Sequence, residues 1–201
     1  MSTYEGAAGA HGSDTAVLAL YAWNAQVSAA LLVPLHVCEV VMRNAVADAL
    51  ESTYGERWAW SQTFEHALPA PAVGYNARYD LQCARRRAAT TGKVIPELNF
   101  VFWQKMFTGR FDVRIWNPQM RHVLPYLDSE QPVDKLRQRI YASLEQVRKL
   151  RNRIAHHEPI FSRDLQRDFE RIVELIRFRC GVTANWMLEN QQAIGLIKNR
   201  P

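Results

Sequence analysis

Residues 134–159 read DKLRQRIYASLEQVRKLRNRIAHHEP, and this stretch decides the fold. Its large apolar residues recur at steps of three and four, which places them in one continuous stripe along a helix. The stripe consists of Leu136, Ile140, Leu144, Val147, Leu150 and Ile154. The sequence therefore predicts a long helix that starts near Asp134, buries this stripe and ends at Pro159.

Helical periodicity also dominates the rest of the chain, where alternation of apolar and polar residues never extends beyond a few positions. Ser13 is a favourable N-cap for an apolar helix, Pro34 either bends this helix or starts a second one, and Gly55 ends it. Further helices are predicted at residues 74–91, from Pro96, from a cap at Ser162 to Gly181, and at 186–196. The sequence thus predicts an all-α protein.

The length of 201 residues and the apolar fraction of 48% suit one globular domain. We expect residues 13–201 to form this domain and residues 1–12, which are mostly small, to form a flexible tail. The most apolar run, from Val27 to Met42, is too short and too polar for a membrane span, so we expect no membrane partner.

The three cysteines, Cys38, Cys83 and Cys180, lie far apart in the sequence. This spacing favours reduced thiols and a cytoplasmic location.

A net charge of +5 and a pI near 9.3 favour a polyanionic partner, although many basic proteins bind no nucleic acid. The arginines at 85–87 point around their helix, so a solvated surface is the simplest interpretation. The aromatic side chains of Phe100, Trp103 and Phe107 recur at helical spacing. Core packing explains them better than a platform for stacking bases.

The end of the long helix, RKLRNRIAHHEP at residues 148–159, concentrates cations and histidines. At roughly 100° per residue, Asn152 and His156 fall nearly opposite Ile154 on a polar face. Arg151 and His157 instead flank the apolar stripe. A histidine that faces away from the core is not held there by packing and needs another explanation.

Two interpretations of this cluster remain open. Cations in the last turn of a helix interact favourably with its exposed carbonyl groups, and Pro159 marks that last turn. Alternatively, a histidine removes the proton from a ribose 2′-hydroxyl, and an arginine stabilises the charge on the attacked phosphate. In this second interpretation Arg148, Lys149 and Arg153 hold the RNA strand.

A metal site is not expected in this cluster, because the adjacent His156 and His157 point in different directions on a helix. A glycine-rich phosphate loop is also missing from the sequence. We therefore expect neither a metal nor another cofactor.

The order Arg151-Asn152, three residues and His156 resembles the R-N-x-x-x-H signature of HEPN (higher eukaryotes and prokaryotes nucleotide-binding) domains. Residues 150–157, LRNRIAHH, resemble the L-R-N-x-x-A-H-H segment of the bacterial Abi-like, or abortive-infection, proteins. The stretches LHVCEVVMRNAVADAL and FVFWQKMF are similar to other sections of that family. The similarity extends over residues 16–176.

This resemblance implies an all-α HEPN helical bundle that dimerises with its motif helices facing each other across a two-fold axis. It also implies a metal-independent endoribonuclease of an abortive-infection or toxin-type defence system. The implied catalytic residues are Arg151, His156 and Asn152, and the implied supporting residues are His157 and a polar pair formed by Glu39 and Arg43.

The partners that follow from the resemblance are RNA and a second copy of the chain, and an antitoxin protein could restrain the activity. Arg151 and His156 lie roughly 140° apart on one helix, so a partner helix would be needed to bring them to one target. The alternative is a noncatalytic HEPN module that binds RNA or a protein partner.

Overall fold

The longest helix of the fold, α2, spans Asp14–Tyr54. Ser13 caps it by accepting a hydrogen bond from the backbone N–H of Ala16, and Gly55 ends it with a φ of 85°, which favours glycine. The predicted start and end of this helix are therefore confirmed. The structure is a computed structural model that describes residues 2–8 and 13–201.

Helix α2 continues through Pro34, so this proline does not start a second helix. A proline inside a helix removes one backbone hydrogen bond and costs about 3 kcal/mol. The neighbouring side chains of Val27, Leu31 and Leu35 are buried in the core. Each contributes roughly 1.5–3 kcal/mol by its burial, which offsets the cost of the proline.

The other α-helices in the described ranges are α1 (Ser2–Ala8), α3 (Gln62–Ala67), α4 (Ala77–Arg86), α5 (Thr91–Val94), α6 (Phe100–Met106), α7 (Asn117–Val123), α8 (Val133–Ala155), α9 (Leu165–Arg179), α10 (Gly181–Asn190) and α11 (Ala193–Lys198). Short 3-10 turns occur at Trp58–Trp60, Ile95–Glu97 and Gly109–Phe111, and a π turn occurs at Asp112–Trp116. Residues 2–8 and 13–201 contain no strand, which confirms the all-α prediction.

Two predicted helix starts, those of α9 and α6, are wrong. Asp164, not Ser162, caps α9 by accepting a hydrogen bond from the backbone N–H of Arg167 at 3.0 Å. Pro96 lies in the short turn that precedes α6, and α6 itself begins at Phe100.

Residues 2–8 form a helix and not the flexible tail that their small side chains predict. Tyr4 is buried, and its ring contacts those of Tyr21 and Phe161 with centroid distances of 5.2 and 5.1 Å. One aromatic side chain thus anchors a segment whose other residues are mostly small. Residues 1 and 9–12, the remainder of the predicted tail, lie outside the described residues.

Helix α8 buries the apolar stripe that the sequence predicts, from Leu136 to Ile154. Helix α9 packs mainly against α2 and also against α8, so these three helices share one core. The predicted aromatic stripe lies in the core as well, where the ring of Phe107 stacks on that of Trp116 at 4.4 Å. This arrangement leaves the opposite side of α8 free to carry polar groups.

By length and composition alone, α2 could cross a membrane, with a mean hydropathy of 1.6 over 18 residues. The helix of 41 residues is longer than the apolar run that the sequence suggests. The core helix of a soluble protein meets the same criteria. One face of α2 packs against α9 and α7, and 33% of the apolar window is buried.

Candidate functional site

The C-terminal end of α8 is closed by main-chain hydrogen bonds. The N–H of His157 donates to the carbonyl of Ile154 at 3.1 Å, and the N–H of Glu158 donates to the carbonyl of Arg153 at 2.8 Å. This pair of bonds is a Schellman motif, in which the residue after the cap adopts a left-handed conformation. His157 occupies that position with a φ of 55°, although glycine is favoured there.

The segment after the motif is held against α2. The buried side-chain oxygen of Asn24 accepts a hydrogen bond from the backbone N–H of Ile160 at 2.8 Å. The guanidinium of Arg153 donates to the carbonyl of Pro159 at 3.0 Å and lies 3.8 Å from the carboxylate of Glu158. Arg153, which we predicted to bind RNA, therefore stabilises the turn after α8.

A cleft of about 480 Å³ lies beside the last turns of α8. One wall is α8 itself, which contributes Arg148, Arg151 and Asn152. The other walls are Glu39 of α2, Tyr75, and residues 96–101. The cleft brings together four of the residues that the sequence singles out.

Arginines Arg148 and Arg151 each face a carboxylate. The Nε of Arg151 lies 3.4 Å from Oε2 of Glu39, and 45% of the Arg151 side chain is exposed. Arg148 donates two hydrogen bonds to Glu145, at 2.8 and 3.3 Å. Lys149 lies 3.7 Å from the same carboxylate. Both arginines are therefore held in place and partly neutralised at the edge of the cleft.

Glu145 is the acidic centre of this arrangement. It also accepts a hydrogen bond at 2.5 Å from the side-chain nitrogen of Gln104, a residue of α6 that is fully buried. Burial raises the pKa of Glu145, but the hydrogen bonds from Arg148 and Gln104 act in the opposite direction and leave the pKa below its usual value. Glu145 thus stays ionised and keeps Arg148 oriented.

The predicted polar pair of Glu39 and Arg43 is not formed. Among the described residues, the ion pair of Glu39 is with Arg151, because α8 presents this guanidinium to the face of α2 that carries Glu39. The Nε atom of Arg43 is buried and has no hydrogen-bond partner in the described part of the chain. A buried donor without a partner costs about 1–3 kcal/mol.

The histidines lie outside the cleft. His156 is exposed at the end of α8, one and a half turns beyond Arg151. His157 is exposed beside a smaller depression of about 270 Å³, which Tyr21 and Asn24 also line. One chain therefore gathers the arginines and Asn152 but does not place an imidazole among them.

The position of Asn152 differs from the helical-wheel prediction. The wheel places Asn152 with His156 on a face that points away from the core. In the structure Asn152 is half-buried, because residues 96–101 form the wall opposite that flank of α8. Of these two residues, His156 alone is exposed as the wheel predicts.

The sequence reasoning missed Gln104, Tyr75, Asn24 and residues 96–101 as parts of this region. Their contacts come from distant parts of the chain and carry no local signal. The pairing of Glu145 with Arg148 and Lys149 does have such a signal, because side chains three and four residues apart meet on a helix.

In the described ranges, no group of three or more histidine, cysteine, aspartate or glutamate side chains is arranged to hold a metal ion. The comparisons with known proteins give no match of any kind: no protein-family model, no curated protein and no solved structure is significantly similar to this chain.

Proposed function

We propose that this chain is a metal-independent endoribonuclease of the Abi-like family, within the HEPN superfamily, that acts in bacterial abortive-infection or toxin-type defence. One observation carries the proposal. Arg151 and His156 are both exposed at the end of α8, while the other side of the same helix is buried core. Asn152 lies between them and lines the cleft.

The way that α8 ends supports a chemical role for its histidines over a role in capping. The Schellman motif closes this helix with main-chain groups alone, so the last carbonyls do not need an imidazole as a donor. His157 even occupies a backbone conformation in which glycine is favoured. Histidine side chains at these positions therefore call for an explanation beyond helix stability.

In the proposed reaction, the imidazole of His156 takes the proton from a ribose 2′-hydroxyl. The 2′-oxygen attacks the adjacent phosphorus, the bond from phosphorus to the 5′-oxygen breaks, and that oxygen takes a proton from water. The guanidinium of Arg151 stabilises the negative charge on the non-bridging oxygens, and Asn152 orients the phosphate. The products carry a 2′,3′-cyclic phosphate and a 5′-hydroxyl.

Glu39 and Glu145 act as positioning residues in this proposal. A phosphate that enters the cleft would displace Glu39 from Arg151, because a guanidinium binds a phosphate through two parallel hydrogen bonds. Arg148 remains on Glu145 and adds positive charge to the rim. Lys149, which is more exposed, contributes to holding the strand.

A second copy of the chain completes the site, since one chain keeps its imidazole away from its arginines. Helix α2 exposes an apolar face suited to this contact. Leu18, Tyr21, Leu32 and Val33 are each about half exposed. Tyr21 and Leu32 border the depression that His157 lines, so a partner on this face would lie next to the motif.

The proposal includes RNA as substrate, a cytoplasmic location and an antitoxin protein as a possible regulator. The free state of Cys38, Cys83 and Cys180 supports the reducing location.

A noncatalytic HEPN module is the second candidate. The observation that favours it is the neutralisation of both cleft arginines by Glu39 and Glu145. Such a module would bind RNA or a protein partner, with Arg151 and His156 serving only to clamp a phosphate or to stabilise the dimer.

Incubation of the purified protein with mixed RNA in the presence of EDTA tests the proposal. Cleavage is expected for the parent and is expected to fall by about 10²–10⁴-fold in His156→Ala, the range of general acid–base catalysis. Arg151→Ala should show a comparable loss. The cut ends should carry a 2′,3′-cyclic phosphate, and RNA with a blocked 2′-hydroxyl should stay intact.

Matched controls are His122→Ala and Arg167→Ala, which remove an exposed histidine and an exposed arginine from α7 and α9. Both should cleave like the parent. RNA that remains intact with the parent, while its binding weakens in the Arg151 and His156 variants, would instead establish the noncatalytic module. Unchanged binding and cleavage in these variants would contradict both candidates.

A further inference from the structure

Helix α4 carries three arginines, and a fourth, Arg87, follows its last residue; two of the four have structural partners. Arg78 donates hydrogen bonds to the carbonyls of Glu65, His66 and Leu68, each at 3.0 Å. Arg85 forms an ion pair of 2.6 Å with the Glu65 carboxylate. These two side chains fasten α4 to the end of α3 and are not available to a ligand.

The other two arginines, Arg86 and Arg87, are exposed at the end of α4. In the described part of the chain, neither side chain forms an ion pair or a hydrogen bond. Both border a shallow depression of about 220 Å³, whose rim also includes Asp80 and Glu97. The sequence alone favours a solvated surface for these arginines, but two guanidinium groups at the edge of one depression also have the chemistry to bind a phosphate.

This depression adjoins the cleft of the candidate site. Glu97 borders both of them. The carboxylate of Asp80 accepts hydrogen bonds from the hydroxyl of Tyr75 at 2.7 Å and from the side-chain nitrogen of Asn99 at 2.9 Å. Tyr75 and Asn99 line the cleft, so one hydrogen-bonded wall separates the two spaces.

We propose that Arg86 and Arg87 form a second anchor for the RNA strand, which runs from the cleft over Glu97 to the end of α4. This inference rests on the proposed function, since it extends the strand bound beside Arg151. The chemistry is recognition of a single-stranded polyanion by guanidinium groups, without readout of bases. Glu97 is an acid in the path of the strand, so its charge weakens binding.

The first test compares Arg86→Ala/Arg87→Ala with Arg167→Ala/Arg177→Ala, a variant of equal charge on α9. Affinity for a 2′-O-methylated single strand, which cannot be cut, is measured by fluorescence anisotropy over a range of salt concentrations. Loss of two phosphate contacts should reduce the slope of log K against log salt by about 1.4, at about 0.7 per phosphate. Affinity at low salt should fall about tenfold.

The second test uses Glu97→Gln, with Glu189→Gln on α10 as the control of equal charge. Glu97→Gln should raise RNA affinity about threefold, because it removes repulsion along the path, whereas Glu189→Gln should leave it unchanged. Thermal unfolding by circular dichroism verifies that all variants fold.

The outcomes separate this inference from the proposed function. A parent protein that binds the strand, with Arg86 and Arg87 variants that match the α9 control in affinity and salt slope, would overturn the second anchor alone. A parent that neither binds nor cuts RNA would overturn the anchor and the proposed function together.

Discussion

The arginine part of the motif (Arg148 and Arg151) and its histidine part (His156 and His157) are held in different ways, although only four residues lie between Arg151 and His156. Side chains fix the arginine part: Glu39 faces Arg151, and Glu145 binds Arg148 and is itself bound by Gln104. The main chain fixes the histidine part, through the Schellman motif and the hydrogen bond to Asn24.

This difference indicates what each part is prepared to do. The guanidinium groups have a defined orientation before any ligand arrives, which lowers the entropic cost of binding a phosphate. The imidazoles sit on a defined backbone, but their side chains are exposed. We therefore interpret the arginine part as a preoriented phosphate-binding half of the site. The histidine part is the half that acts in a site shared with a partner chain.

The strongest test of this division mixes two inactive variants, Arg151→Ala and His156→Ala. If each site takes its arginine from one chain and its imidazole from the other, a mixed dimer has one intact site. With random exchange in an equal mixture, RNA cleavage should recover to about one quarter of the parent rate, since half of the dimers are mixed and half of their sites are intact. A mixture as inactive as its components would place both groups of a site on a single chain.

The next prediction concerns how the histidine part is held. Asn24→Ala leaves the N–H of Ile160 buried without a partner, so the free energy of unfolding should fall by about 1–3 kcal/mol. Urea denaturation measures this change. Asn44→Ala, at an exposed position of the same helix, should change it by less than about 0.5 kcal/mol. Equal effects of the two variants would mean that the contact with Asn24 does not hold the turn.

A smaller effect is expected for the backbone of the histidine part. His157→Gly and His157→Ala both remove the imidazole, but only glycine favours a φ of 55°. The glycine variant should therefore be more stable than the alanine variant by about 1 kcal/mol, as measured by thermal unfolding. At Ala142, an exposed position in the interior of α8, the order should reverse, so that Ala142→Gly is destabilising. An alanine variant at position 157 that is as stable as the glycine variant, or more stable, would rule out the left-handed turn.

The smallest effect concerns the arginine part. Because the pKa of Glu145 in the folded chain lies below its ordinary value of 4.5, its ion pairs stabilise the fold above that pH and lose their effect as the pH falls. Glu145→Gln should lower stability at neutral pH by less than about 1 kcal/mol, and the difference from the parent should vanish near pH 3. Urea denaturation at both pH values checks this, with Glu189→Gln as control. A difference that grows on acidification would show the opposite sign of the pKa shift.

The elements that the sequence predicts well are those with strong local signals. Ser13 and Gly55 mark the ends of α2 because capping and a positive φ are local requirements. The stripe of α8 is equally local, since it depends only on helical periodicity. The sequence left open whether the helix continues through Pro34 or a second helix starts there. Packing against distant helices decides this, because it overrides a local helix breaker.

Prediction of the candidate site from the sequence is limited in the same way, because contacts between distant parts of the chain carry no local signal. The positions of Arg151 and Asn152 on α8 follow from the sequence, but the cleft that they border needs residues 96–101, which lie about 50 residues earlier. The predicted partner of Glu39, Arg43, was wrong for a similar reason. Arg43 is near Glu39 in the sequence, whereas Arg151 is near it in space. Neither the buried Gln104 nor the turn at His157 leaves a recognisable local pattern.

The order of α2 and α9 along the chain matters for biosynthesis. Helix α2 leaves the ribosome before the helix that covers much of it, since α9 begins at Leu165, about 110 residues after the end of α2 at Tyr54. At about 5–20 residues per second, the nascent apolar helix waits on the order of ten seconds for this cover. During that interval the apolar side chains of α2 that later contact α9 lack this cover, and transiently exposed apolar surface of this kind is prone to aggregation.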